Sequence, residues 1–177
     1  MNKHVIAVSG KQFAGKDTVV EILLQYLKNF KRIGIGDAIK EEYSKRTGLS
    51  VEEIEKNKSA YRPDLIALGD EGRAISSDYW LRKILDSDFN VIISDLRLKN
   101  ELNLAKQYNA ITIRVESSRE NRAKRGNIVK ENDLTETDLD DITSWDFIIE
   151  NNSDYDTLKN NVQIVAQQIK EKISSKK

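Results

Sequence analysis

Residues 8 to 18 read VSGKQFAGKDT, and the fold turns on how that stretch is taken. Gly10, four residues, then Gly15 and Lys16 satisfy the Gly-x-x-x-x-Gly-Lys spacing of a phosphate-binding loop. Glycines there let the backbone curl until several N–H groups face one oxyanion. A helix starting near Lys16 aims its positive end the same way. The next position departs from the pattern. A Ser or Thr there would offer magnesium a hydroxyl, but this chain has Asp17, with Thr18 one place late.

The flanks supply the context the motif needs. Upstream, HVIAVSG is a short apolar run ended by glycine and reads as a buried strand. Downstream, Val20, Leu23, Leu24 and Leu27 recur at helical spacing between Lys16 and about Leu27. Strand, loop and helix in that order are the setting in which the loop binds phosphate.

The alternation continues. KRIGIGD (31–37) suits a second short strand, and AIKEEYSKRTG a helix ending near Gly48. LSVEEIEKNK is helical, with Ser50 and Glu53 spaced as a capping box. Pro63 is placed in the first turn of the following helix, which carries Leu65, Ile66 and Leu68. SDYWLRKIL packs through Tyr79, Trp80, Leu81 and Ile84, with base stacking as the lesser role for the two aromatics. NVIISD (90–95) is an apolar strand, and RLKNELNLAKQYN a helix with Leu98, Leu102 and Ala105 on one face. AITIRVE (110–116) is a strand, SSRENRAKRG a charged helix or loop, and WDFIIEN a last strand. Tyr155, Leu158, Val162, Val165, Ile169 and Ile173 mark a closing amphipathic helix before the tail SSKK. Strands alternating with helices predict a parallel sheet covered on both faces.

Composition bounds the function. The 177 residues suit one domain, 1–177. Acids and bases balance at 29 each, so no net field favours a nucleic acid polymer or an anionic membrane. There is no cysteine and a single histidine, His4, which leaves little for a zinc site. MNKHVIAVSG resembles neither a signal peptide nor a membrane span, and a cytoplasmic location is expected.

The candidate chemistry begins in the loop. Residues Gly10 to Gly15, with Lys11, Phe13 and Ala14 among them, would cradle phosphates, and Lys16 would put a full charge on the β and γ groups of ATP. Asp95 ends an apolar strand, at the sheet edge where ligands bind, and an acid there holds Mg2+, often through water. Capping a helix is its alternative role. Arg97, two residues on, could grip a phosphate of the second substrate. Arg119, Arg122 and Arg125 are spaced for one side of a helix, in a segment (about 117–135) suited to a short basic lid or to a solvated charged helix. Residues 131 to 146 then carry seven acids and no base, fit for a solvated loop, a partner of the basic lid, or both. Lys40 and Arg73 either reach substrate or are plain surface charges.

These motifs resemble a known group. SGKQFAGKDT is similar to the loop of phage-type deoxynucleoside monophosphate kinases and of animal-type phosphomevalonate kinases, both of which read Gly-Lys-Asp. GDAIKEEY, with Lys40 at a substrate-side lysine, and LIALGDEGRAISSDYWLRKI extend the match. IISDLRLKNEL and DFIIENNSDYDTLKNNV carry it over nearly the whole chain. The resemblance implies a P-loop kinase fold, a five-stranded parallel sheet with helices on both faces and a mobile lid. It also implies transfer of the ATP γ-phosphoryl group to a small-molecule monophosphate. In that reading Asp17, Thr18 and Asp95 lie near Mg2+. Lys16, Asp95, Arg97, Arg119 and Arg122 carry the chemistry, and Lys40, Arg73, Arg97 and Arg125 meet the acceptor.

The two subgroups differ at named positions. Phosphomevalonate kinases have a basic residue where this chain has Gln12 or Phe13, and a second arginine where it has Leu98. Asn100 and Glu101 complete the deoxynucleotide kinase pattern, whereas the compact length and SSRENRAKRG are close to phosphomevalonate kinase. A (deoxy)nucleoside monophosphate is the favoured acceptor, phosphomevalonate the second. A non-catalytic nucleotide-binding protein is the rival class. No guanine-reading Asn-Lys-x-Asp stretch is present.

Overall fold

Strand β1 (Val5–Ser9) is buried along its whole length, so both faces of the sheet are covered at its centre. The computed structural model describes residues 3–175, and its backbone groups into two units. The first holds the chain up to Arg32 and from Asp88 onward; the second runs from Ile33 to Ser87.

Four further strands complete the sheet: β2 (Phe30–Ile33), β3 (Asn90–Leu96), β4 (Ile111–Glu116) and β5 (Phe147–Glu150). Their order is β2-β3-β1-β4-β5, a five-stranded parallel sheet. Ile6 lies beside Ile92 on one side and Ile111 on the other. Near its end the β1–β3 register slips, and Ser9 pairs with Leu96 although Ala7 pairs with Ile93. The extra residue falls at Ser94–Asp95, a bulge where β3 reaches the loop edge.

Helix α1 (Lys16–Tyr26) and the last helix, Tyr155–Ser174, lie together against this sheet. Val20, Leu23, Leu158, Val162 and Ile169 join Ile6, Val8, Ile113 and Ile149 in one core. These are the positions the helical spacing selects, whereas Tyr155 is exposed. Burying such side chains contributes about 1.5–3 kcal/mol each.

The second unit is helical: α2 (Ile35–Thr47), α3 (Val51–Lys56), α4 (Lys58–Ile75) and α5 (Tyr79–Leu85). Gly48 ends α2 at φ 78, and Ser50 caps α3 by accepting from the Glu53 amide. Pro63 corrects the expectation for this region: it lies inside α4, whose start is five residues earlier, at Lys58. Asn57 ends α3 and begins α4 at once, so the helix is under way before the proline and forgoes one backbone donor there. Trp80 is core, its indole N–H on the Gly69 carbonyl at 3.0 Å.

In the first unit α6 (Lys99–Gln107) follows β3, and α7 (Arg119–Arg125) follows β4, so SSRENRAKRG is a helix. The four-residue turn α8 (Leu134–Thr137) lies in the acidic stretch, and the closing helix Tyr155–Ser174 is α9. Of the predicted tail, Ser174 ends α9 and Lys176 and Lys177 lie outside the described residues. Among the described residues no helix is long and apolar enough to cross a membrane.

Candidate active site

The loop between β1 and α1 curls through two residues of positive φ, Phe13 at 58° and Gly15 at 102°. A side chain at Gly15 would be strained by that φ and would meet the Asn151 amide. Gly10 is needed for another reason: a Cβ there would fall 2.6 Å from the Val115 carbonyl oxygen. Asn151, just past β5, holds the curl by donating to the Ala14 carbonyl at 2.9 Å. The Lys16 ammonium folds back over the loop and donates to the carbonyls of Gly10 and Lys11. Its pKa is pulled down to about 8, chiefly by burial and then by Arg97, against the opposing charges of Glu136 and Asp17. A cation so placed gains from an anion arriving in the loop.

Asp17, the departure from the motif, opens α1, and its carboxylate accepts from Arg32 of β2 at 2.6 Å. The same guanidinium reaches the Ser94 hydroxyl at 3.3 Å. The acid's charge is therefore met by an arginine of β2, an edge strand of the sheet. Thr18 lies in the first turn of α1. Asp95 stands in the bulge of β3, beside the strand that feeds the loop, at the edge expected of it.

Arg97 is fixed at both ends. Its amide donates to Glu101 at 2.8 Å, and its guanidinium to Glu136 at 3.1 Å. Glu101 also accepts from Leu98, which makes it the cap of α6. Burial raises the Glu101 pKa, with those two amides opposing. Glu101, one residue of the expected Asn100–Glu101 signature, therefore has a local structural use.

The arginines of α7 divide. Arg122 is buried and donates to the carbonyls of Gln12 and Ser117, both at 3.3 Å. Arg125 donates to the carbonyls of Phe13 at 3.0 Å and Asn151 at 2.7 Å. Arg119 instead points away to Glu131. The Phe13 ring lies against Gly126 at the end of the helix.

Three residues were missed as functional candidates. Arg114, on β4, is buried under the same edge; it donates to the Ser9 hydroxyl at 3.0 Å and lies 3.6 Å from Asp140. Burial lowers its pKa, with Asp140 the main opposing charge. Its signal was a cation in the interior of the otherwise apolar stretch AITIRV. Arg32 was a charge in a short strand with no pattern to mark it. Glu136 was one acid among seven, and nothing in the run singles it out.

The acidic stretch meets the expected basic segment at one pair, Glu131 with Arg119, and its other pairs are with cations outside that segment. Glu136 accepts from the Gln12 amide at 3.0 Å as well as from Arg97, and Asp140 pairs with Lys11 at 2.7 Å. Lys11, Ala14, Arg114, Ser117, Arg122 and Asn152 line a cavity of about 330 Å³ beside the loop. In the second unit, Lys40 pairs with Glu55 at 2.7 Å and Asp37 at 3.2 Å, and Arg73 with Asp70 at 2.8 Å.

A strand, a phosphate loop and a helix at the centre of a five-stranded parallel sheet, with cations gathered at its carboxyl edge, define a P-loop kinase. The architecture matches shikimate kinase from Aquifex aeolicus with a TM-score of 0.54 and 20% identity, covering 96% of this chain and 98% of that one. It matches a gluconokinase from Sinorhizobium meliloti 1021 with a TM-score of 0.58 and 14% identity, covering 99% and 97%. A family model for phosphomevalonate kinase matches residues 8–110, from the loop through β3 and α6, and the chain belongs to that family.

Proposed function

We propose that this kinase moves the γ-phosphoryl group of ATP to a phosphate oxygen of a small phosphomonoester. One observation carries the reading. Arg97 is tied, through Glu136, to the Gln12 amide of the loop, so a cation outside the loop stands within reach of the phosphoryl group that Lys16 would hold. A single triphosphate is served by the loop, α1 and Lys16; the second cation suits a second phosphate.

The acceptor is already an oxyanion and needs no strong base. Its oxygen forms the new P–O bond as the bond to the β–γ bridging oxygen breaks, and ADP leaves with that electron pair. Lys16 offsets charge at the bridge, Arg97 aligns the acceptor, and Arg122 and Arg125 hold the loop in shape. Arg119, Lys40 and Arg73 are the cations we assign to closing over or meeting substrate.

The residues fit Mg2+ held mainly by phosphates and water. Among the described residues no cluster of three metal-ligating side chains occurs, while Asp95, Asp17 and Thr18 lie at or beside the loop. Bound there, the ion would withdraw charge from the β and γ phosphates. We expect the reaction in the cytoplasm, where ATP is supplied.

A (deoxy)nucleoside monophosphate is the acceptor we favour. The Gln12 amide group spends both its ends on the Val129 backbone, which leaves this loop position uncharged and occupied. Phosphomevalonate is the second reading, favoured by the family match. Coupled ADP release with dNMPs, NMPs and phosphomevalonate separates them. Acceptor-dependent ADP with one class assigns it; flat traces with ATP binding intact would leave a nucleotide-binding protein without transfer.

A further inference from the structure

The acidic stretch after α7 is more than a counter-charge. It is fastened to the phosphate loop at one end, where the Gln12 side chain donates to the Val129 carbonyl at 2.6 Å and accepts from its amide at 3.3 Å. At the other end Asp138 accepts from the Lys99 amide at 2.7 Å, Asp141 pairs with the Lys99 ammonium at 2.7 Å, and Leu139 is buried. Between these fastenings lies Glu136, whose side chain is only 4% exposed. Its two oxygens go to different partners, one to the Gln12 amide and one to Arg97.

Burying a carboxylate is costly, and an apolar residue would hold the turn more cheaply. What a carboxylate adds is direction. It takes one guanidinium nitrogen at 3.1 Å and one loop amide at 3.0 Å, and so sets the reach from Arg97 to the loop. The guanidinium keeps donors to spare for a bound phosphate. The charge is not consumed by an exposed, mobile acid.

We propose that Glu136 is a positioning residue for phosphoryl transfer, holding the Arg97 guanidinium at a fixed distance from the phosphate loop. The inference rests on the proposed transfer to a phosphomonoester. Glu136 need not touch either substrate. It acts through Arg97, and the segment from Val129 to Asp141 is the strap that carries it.

The test is a double-mutant cycle on acceptor-dependent ADP release, with ATP affinity measured by calorimetry and folding by circular dichroism. Glu136→Gln keeps the size of the side chain. It is expected to lower kcat/KM for the acceptor about tenfold to a hundredfold, as misplacement of a reacting group does. ATP affinity should stay within about twofold, because the variant's amide oxygen can still accept from the Gln12 amide and Lys16 keeps its bonds to the Gly10 and Lys11 carbonyls. In an Arg97→Ala background the same change should cost almost nothing more, since two groups acting as one unit are not additive. Should Glu136→Gln not fold, Glu136→Asp, which is one methylene too short to reach both partners, takes its place in the cycle. Losses that add in the double variant overturn the positioning, as does an effect confined to ATP affinity. If the wild-type enzyme shows no acceptor-dependent turnover, the functional reading itself falls and the positioning with it. Normal wild-type turnover with additive losses removes the positioning alone.

Discussion

The two flanks of the phosphate loop are held by opposite chemistry. On the α7 flank, Arg122 and Arg125 donate to neutral backbone carbonyls of Gln12, Phe13 and Asn151. On the strap flank, Lys11, Arg97 and the Gln12 amide meet the carboxylates of Asp140 and Glu136. A cation bonded to carbonyls is fixed in place yet keeps its full charge for an arriving phosphate. A cation paired with a carboxylate is oriented but partly neutralised. The site thus separates two tasks: α7 sets the loop's shape and field, and the strap sets the direction of the acceptor-side arginine.

The largest effect should come from the cation that belongs to neither flank. Lys16→Ala is expected to lower turnover by about 10²–10³-fold with the fold intact by circular dichroism, as loss of a preorganised charge at the reacting centre does. Near-normal turnover would place the work of the loop on its flanks instead. Arg97→Ala should come next, lowering kcat/KM for the acceptor about a hundredfold, chiefly through KM, and leaving ATP affinity within about twofold, the upper scale of one charged hydrogen bond. An effect on ATP alone would make Arg97 part of the α7-type framework and erase the contrast.

The α7 flank should answer in stability. Arg122→Ala removes donors from the Gln12 and Ser117 carbonyls and should cost about 1–3 kcal/mol in urea melts. Arg122→Lys should not recover it, because one ammonium cannot reproduce the fork. Full recovery by lysine would mean that charge rather than geometry holds this side.

Acid should act first on the strap, where Glu131, Asp133 and Asp141 are held low against the single Glu120 of α7, and with the smallest effect. Arg119 holds the Glu131 carboxyl below its usual range, and Lys99 does the same for Asp141. A carboxyl whose folded pKa lies below its unfolded value adds stability above the unfolded range and loses it as pH falls through the folded one. Amide exchange, corrected for intrinsic rates, should therefore quicken in 131–141 as pH falls below about 5, before it does in 119–125. These groups are exposed, so the change should be modest and weakened further by salt. Simultaneous loosening of both segments would show that they are one unit.

Much of the framework was legible in local pattern. The loop, with Gly10, Gly15 and Lys16, follows from short-range spacing, and so do the strands around Ile6, Ile92 and Ile113. The helical face of Leu158, Val162 and Ile169 is equally local, because helical periodicity marks it directly. Pro63 misled because a helix boundary depends on what ends just before it, and the end of α3 at Asn57 started α4 early. Asp17 was visible as an oddity, but its partner Arg32 was not; the pair joins a helix start to a strand 15 residues away.

Glu136 shows the limit most clearly. Residues 131 to 146 carry seven acids for which a basic partner is expected, and no local pattern chooses among them. Glu136 lies 124 residues from Gln12 and 39 from Arg97, and only the folded sheet brings the three together. Arg114 is the same case: its charge in an apolar strand was a sign, and its partners Ser9 and Asp140 came from distant segments. What the sequence by itself determined is the phosphate loop, the alternation of strands and helices and the supply of cations, since each is written in residues a few places apart. Which carboxylate meets which cation, and so where each charge points, only the tertiary structure decided, because Coulomb energy and hydrogen bonding depend on distance in space and not along the chain.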